Sequence, residues 1–193
     1  MSSVGANEVW LVRHGETEWS RDHRHTSTTD LPLTDDGEEV ARSLRPQLAR
    51  DFALVLTSPR RRARHTAELA GHAAAEVDAD LAEWAYGDYE GVTSDEIRES
   101  VPDWTVWTHP SPGGESAAEV SERLDRVVGR LRDVEGDALV FGHGHALRAL
   151  TARWLGLPVT EGRLFRLDTA TVSVLGYERE TPVVLTWNTR ARP

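Results

Sequence analysis

Short runs rich in Val and Leu alternate along this chain with helix-length amphipathic segments, and that alternation restricts the fold more than any other feature. Val9–Val12 is the first run, Leu54–Thr57 the second and Ala138–Phe141 the third, while Val172–Tyr177 and Val183–Trp187 close the chain. Continuous apolar runs separated by helical segments are the pattern of parallel strands joined by crossover helices. The last two runs, linked by the turn-like Glu178–Pro182, are expected to form a hairpin or an edge pair. The expected fold class is therefore α/β, a three-layer α/β/α sandwich with a mostly parallel central sheet. A chain of 193 residues is expected to form one domain, 1–193, with a core that needs no covalent staple.

The helices carry local signals. Ser116-Ala-Ala-Glu119 is a capping box, and Val120, Leu124, Val127, Val128, Leu131 and Val134 follow it at helical spacing. Ser58-Pro59 predicts another helix with Pro in its first position. His145–Leu155 reads as a third, closed by Gly156 and Pro158. Thr34–Asp51 reads as helical with a kink or early end at Pro46. Residues 84–115, rich in Trp and containing the Pro110–Gly114 loop, are the least regular. Trp84, Trp104 and Trp107 in that stretch are expected to pack rather than to wall a site.

Charge and composition exclude whole classes of function. The net charge of −10 argues against binding nucleic acid or coating anionic membranes, both of which need a basic face. An anionic small substrate needs only a local cluster of cations. There is no Cys, which removes thiol nucleophiles, Cys-ligated zinc and disulfides. Every cation is Arg; without Lys there is neither a Schiff base nor a Walker-type phosphate loop. Met1–Asn7 is small and polar, the next apolar run is too short for a secretory signal, and no stretch suits a membrane helix; the expected location is cytoplasmic.

In α/β sheets ligands bind at the carboxyl ends of strands. Val9–Val12 is followed by Arg13-His14-Gly15-Glu16-Thr17, Leu54–Thr57 by Ser58-Pro-Arg-Arg-Arg62, and Ala138–Phe141 by Gly142-His143-Gly144-His145. Three strand ends thus bring His and Arg toward one sheet edge. Each has a blander reading: a strand-end His as a hydrogen-bonded structural residue, and the Arg triplet as a solvated helical turn in which one side chain or more is surface. His143 and His145 also suggest a metal pair, but no spaced partners complete a ligand set. A cationic pocket with two His suits phosphoryl transfer. Guanidinium matches phosphate oxygens, neutral imidazole can attack phosphorus, and a carboxylic acid must protonate the leaving alkoxide. Glu16 and Glu83 are both candidates for that acid.

Arg13-His14-Gly15-Glu16-Thr17 resembles the signature of the histidine phosphatase family, also called phosphoglycerate-mutase-like. Leu31-Pro-Leu-Thr34 with Gly37, Ser58-Pro59 with Arg62-Ala63 and Thr66-Ala67, Leu81-Ala-Glu83 with Gly87–Gly91, Pro112–Ser116 and His143 follow in the family's order, from about residue 9 to 177. The resemblance implies a six-stranded, mostly parallel sheet between helices. It implies His14 as the nucleophile that becomes phosphohistidine, Arg13, Arg62 and His143 as the rest of the phosphate pocket, and Glu83 as the acid, with Glu16 in support. It places Gly15, Ser20, Thr26, Ser27, Tyr86 and Gly144 at the substrate site, Ser20 standing where relatives carry Asn. Specificity is expected to depend on His25–Thr28 and on the loop from Trp84 to Pro112. No metal or cofactor is implied; the partner is a small phosphorylated molecule, and family habit adds a homodimer. Glu83 is followed by Trp84 rather than Arg, the acid segment is short and Lys is absent, so the likeness is to phosphatases, near sedoheptulose bisphosphatase and bacterial acid phosphatases, ahead of the mutases. The expected activity is hydrolysis of a phosphorylated metabolite such as a sugar phosphate. The alternatives are a phosphoglycerate mutase, a non-catalytic phosphate-binding domain and a metal-dependent hydrolase at His143 and His145.

Overall fold

A computed structural model describes residues 7–191. The reading of the N-terminal stretch as free of a signal falls almost wholly on residues 1–6, outside the described part. The elements run β1 (Val9–Arg13), α1 (Glu18–Arg21), α2 (Asp35–Ser43), α3 (Arg45–Leu48), β2 (Leu54–Thr57), α4 (Arg61–Leu69), β3 (Glu76–Val77), α5 (Ser94–Arg98), α6 (Ala117–Asp133), β4 (Ala138–Gly142), α7 (Gly144–Trp154), β5 (Thr171–Glu178) and β6 (Thr181–Arg190). The strands form one sheet in the order β3-β2-β4-β1-β5-β6. β3, β2, β4 and β1 pair in parallel, whereas β5 pairs antiparallel with both β1 and β6. The mostly parallel sheet and the closing hairpin are thus both present.

Strand alternation divides the core. Val9, Leu11, Leu56 and Val140 face the layer that contains Leu124, Val127 and Leu131 of α6 and Leu147 and Leu150 of α7. Val12, Leu139 and Phe141 face the other layer with Leu44, Leu48 and Ala67. Central strands buried on both faces read as unbroken apolar runs, which is why these were visible in the sequence. β3 is two exposed residues at the sheet edge, too short to leave a periodic signal.

Two helix boundaries differ from expectation. Pro59 is not the first helical residue: α4 begins at Arg61 with Arg60 as its extended N-cap. The Ser58 hydroxyl is occupied instead by Arg60 N–H at 3.3 Å and by His143 Nε2 at 2.6 Å. The segment 34–51 breaks at Leu44, and Pro46 sits in the first turn of the separate helix α3, where its missing N–H costs nothing. The Ser116 capping box is formed as expected. Trp84, Trp104 and Trp107 are buried in the core, consistent with packing. Among the described residues no helix is long and apolar enough to cross a membrane.

Candidate active site

Parallel pairing brings three carboxyl ends to one edge of the sheet. Arg13 of β1 lies in register with Gly142 of β4, and Thr57 of β2 with Phe141. His14 N–H donates to the Gly142 carbonyl at 3.0 Å and Ser58 N–H to the Phe141 carbonyl at 2.9 Å. The rings of His14 and His143 meet edge to face, 5.2 Å between centroids. A cleft of about 240 Å3 opens above them, and Arg13, His14, Ser20, Thr26, Glu83, Tyr86 and Gly144 all line it.

His14 is held in one tautomer. Its Nδ1 lies 2.7 Å from the Gly15 carbonyl, which can only accept, so Nδ1 carries the proton and Nε2 keeps its lone pair. Burial, and after it the charges of Arg62 and Arg13, hold the ring well below the ordinary histidine range. His14 is therefore a neutral imidazole with a free Nε2 at physiological pH. His143 is likewise pushed down by burial and then by Arg62. The Ser58 hydroxyl accepts from Arg60 N–H at 3.3 Å and lies 2.6 Å from His143 Nε2.

Among the described residues, three buried nitrogens near His14 have no protein partner: Arg13 Nε, Arg62 Nε and His143 Nδ1. Other nitrogens of the same guanidinium groups are fixed. Arg13 Nη1 donates to the Leu167 carbonyl at 2.6 Å, while Arg62 donates to the carbonyls of Thr29 at 3.0 Å and Thr26 at 3.1 Å. Burial draws the pKa of both guanidinium groups down, opposed by the Glu83 charge. A buried polar group without a partner costs about 1–3 kcal/mol, so these three nitrogens leave hydrogen-bonding capacity around His14 that an anionic oxygen can take up.

Glu83 closes the far side. Its Oε1 accepts from the N–H of Trp84 at 2.9 Å and of Ala146 at 2.7 Å, and its Oε2 from the N–H of His145 at 3.1 Å. The carboxylate thus sits on the amino end of α7. The segment that carries it is braced from behind by Arg123 and Glu115. Arg123 grips both carboxylate oxygens of Glu115 at 2.7 and 2.9 Å and donates to the carbonyls of Asp80 and Ala82 at 2.7 and 2.9 Å. Glu115 in turn accepts from Ala85 N–H at 2.8 Å.

Several expected site residues take other positions. Arg62 and His143 are fully buried and are not among the residues that line the cleft. Gly15 does not line it: its N–H donates to Thr66 Oγ1 at 3.0 Å, its carbonyl holds His14, and a Cβ there would stand 2.5 Å from the Gly37 carbonyl oxygen. Gly15 thus supports His14 through its carbonyl. Ser27 is also behind the wall, with its N–H and hydroxyl on Glu90. The Ser20 hydroxyl, though in the cleft, is engaged in the capping box with Thr17. Glu16 accepts from Thr34 Oγ1 at 3.0 Å, away from the cleft. His143 bonds to Ser58 and His145 to Tyr86, so the two do not share a focus, and the described residues hold no cluster of three or more potential metal ligands.

The outer wall adds His23, Arg24, His25, Ser94, His145 and Arg148, of which His25 and Ser94 lie in the two segments, His25–Thr28 and Trp84–Pro112, expected to set specificity. Tyr86 Oη lies 2.6 Å from His145 Nδ1. Burial lowers His25 to about 4, against the pull of Glu90. Arg24 had no motif to announce it, and Arg148 lies on α7 four residues past Gly144.

Comparison with known proteins agrees with this geometry. A family model described as the histidine phosphatase superfamily (branch 1) matches residues 9–190. An acid phosphatase of Mycobacterium tuberculosis is 47% identical over 180 residues, covering 91% of this chain and 89% of the relative. The sedoheptulose 1,7-bisphosphatase of Saccharomyces cerevisiae is 37% identical over 183 residues, covering 77% and 68%. The phosphoglycerate mutase-like GpmB of Escherichia coli is 31% identical over 194 residues, covering 93% and 89%. A solved structure of a Mycobacterium tuberculosis protein superposes with a TM-score of 0.92 at 42% identity, covering 97% of this chain and all of that one.

Proposed function

The chain belongs to the histidine phosphatase superfamily, branch 1, and from that premise we propose that it is a phosphomonoesterase that hydrolyses a small phosphorylated metabolite through a phosphohistidine on His14. The observation that carries this reading is the conjunction of a neutral His14 with a free Nε2 and three unpartnered buried nitrogens beside it. His14 Nε2 attacks phosphorus in line, the N–P bond forms and the ester P–O bond breaks. Arg13, Arg62 and His143 stabilise the charge on the equatorial oxygens, a term worth about 3–4 kcal/mol per well-placed donor. The departing alkoxide takes its proton from Glu83. Oε2 is the oxygen that carries it, because Oε1 already accepts two N–H groups and Oε2 one. In the second step Glu83 takes a proton from water, water attacks phosphorus, and the N–P bond breaks to release phosphate. Nδ1–H stays on the Gly15 carbonyl throughout, so the positive charge that develops on the ring is met by a fixed acceptor.

On this reading the chain acts as one catalytic domain over residues 1–193 in the cytoplasm, on a sugar phosphate or similar ester. The acid phosphatase and bisphosphatase names of its relatives support hydrolysis. The mutase reading rests on GpmB alone among the relatives above and requires the phosphohistidine to be returned to an organic acceptor. The test is hydrolysis of para-nitrophenyl phosphate in excess EDTA by the parent and by His14→Ala. Activity that survives the chelator and disappears in the variant is expected. Loss of activity to EDTA, or turnover by His14→Ala near the parent rate, would overturn the mechanism; phosphate returned to added phosphoglycerate in place of water would indicate a mutase.

A further inference from the structure

Arg62 is fully buried near His14, and among the described residues its guanidinium hydrogen-bonds to carbonyls alone. Nη1 donates to Thr29 at 3.0 Å, and Nη2 to Thr26 at 3.1 Å and to Ser27 at 3.4 Å. Holding both Nη atoms fixes the plane of the guanidinium, and with it the direction of the unpartnered Nε–H. All three carbonyls belong to residues 26–29, so the aim of Arg62 depends on what holds that loop.

Glu90 holds it from the other side. Its Oε1 accepts from the N–H of Ser27 at 2.8 Å and of Thr29 at 2.9 Å, and its Oε2 from Ser27 N–H at 3.0 Å and from the Ser27 hydroxyl. The Thr26 carbonyl and the Ser27 N–H are the two ends of one peptide group. That peptide is trans, so its ends point in opposite directions. It therefore lies between the Glu90 carboxylate and the Arg62 guanidinium and is polarised from both ends. A direct ion pair would occupy the Arg62 fork, whereas the interposed peptide leaves Nε–H available to an anion. Burial pushes the Glu90 carboxyl up, but the bonds from Ser27 and Thr29 outweigh it and hold the group below the ordinary range, so it is charged at neutral pH. Tyr86 N–H donates to Ser27 Oγ at 3.3 Å, which joins the same loop to the segment that carries Glu83.

We propose that Glu90 is a positioning residue that aims the Arg62 guanidinium at the bound phosphoryl group through the Thr26–Ser27 peptide. This role rests on the phosphomonoesterase reading above and adds to it a residue that does not line the cleft.

The test is a double-variant cycle read by two assays. Calorimetry gives the Kd of inorganic phosphate, and para-nitrophenyl phosphate gives kcat and KM, for the parent, Glu90→Met and Glu90→Gln, each with and without Arg62→Lys. Met removes both acceptor oxygens, and Gln keeps one. Lys keeps the charge at 62 but has no planar fork to span two carbonyls. A displaced binding group costs on the order of 10- to 100-fold. Glu90→Met is expected to weaken phosphate binding and lower kcat/KM by that order, with partial recovery in Glu90→Gln. Beside Arg62→Lys the same substitutions should change either quantity by less than about twofold, because the group they act through is gone. Phosphate bound as tightly by Glu90→Met as by the parent, with only Tm lowered, shows that Glu90 merely cements the loop and overturns the role. The full loss repeated beside Arg62→Lys shows a route other than Arg62 and overturns it too. Should Arg62→Lys fail to fold, the nitrogen NMR signal of Arg62 Nε decides: it should shift in Glu90→Gln, and an unchanged signal refutes the coupling. Phosphate binding needs no turnover, so a cycle that holds in a protein without phosphatase activity overturns the phosphatase reading alone.

Discussion

Replacing Arg123 by Met should destabilise the protein far more than an average substitution and blunt catalysis from a distance. Arg123 is 8% exposed and makes four hydrogen bonds, two to Glu115 and two to the carbonyls of Asp80 and Ala82. Met retains the apolar stem and removes the charge. Breaking a buried pair from one side costs about 3–5 kcal/mol, because the other charge stays behind without its partner. The Glu115 side chain is 24% exposed, which places the cost at the lower end, about 3 kcal/mol. For a chain of this size that corresponds to a fall in Tm of about 6–12 °C. Since Glu115 also holds Ala85 N–H, two residues after Glu83, the acid should be less well placed. The loss in kcat should therefore be larger for alkyl phosphates than for para-nitrophenyl phosphate. Thermal unfolding at pH 7 and the two rate constants are the assay. Glu115→Gln/Arg123→Met, which removes both charges, should be less destabilised than the sum of the single variants. A Tm within 2 °C of the parent, or full additivity in the double variant, would refute the reasoning.

Glu83→Gln should slow hydrolysis of substrates with poor leaving groups more than those with good ones, since the acid matters most where the alkoxide leaves reluctantly; equal losses would remove Glu83 from that role. His14, His143 and His145 are all held well below the ordinary range by burial, and His25 at about 4. Each binds a proton more readily unfolded than folded, so stability should be complete above pH 6.5 and fall below it, by up to about 1.4 kcal/mol per pH unit per ring. A Tm that is flat from pH 7.5 to 5 would contradict this, and nitrogen NMR should show His14 neutral with its proton on Nδ1 across that range. Gly37→Ala in α2 should destabilise, because its Cβ would lie 2.3 Å from the Glu16 carbonyl oxygen. Overpacking of about 1–3 kcal/mol outweighs the gain of about 1 kcal/mol from helix propensity, and a raised Tm would be inconsistent with the contact.

The inner site was legible in the sequence because its residues follow strands whose apolar runs are long and buried. Arg13, His14 and His143 each stand directly after such a run, and parallel pairing then forces them together. Glu83 was ambiguous with Glu16 by chemistry alone; Thr34 takes Glu16 away through a contact 18 positions distant that no local pattern encodes. The hydrogen bonds of Gly15 to Thr66 and His14, and of Ser27 to Glu90, left no local pattern in the sequence. The outer wall was least legible. Arg24 and Arg148 look like any other Arg in a chain whose cations are all Arg, and what sets them apart is that both line the cleft, a property of three dimensions only.

Gly15 and Gly37 touch backbone to backbone, with no side chain between the His14 loop and α2. That contact divides the positions open to change. A drift in specificity cannot proceed by moving His14, the nucleophile of the proposed mechanism, because any side chain at either glycine collides with main chain. It can proceed through His23, Arg24, Ser94 and Arg148, which line the mouth and carry no comparable constraint. The scaffold can thus diversify at its rim while its reactive centre stays invariant, and a lineage of such enzymes should acquire new substrates by exchanging the rim alone.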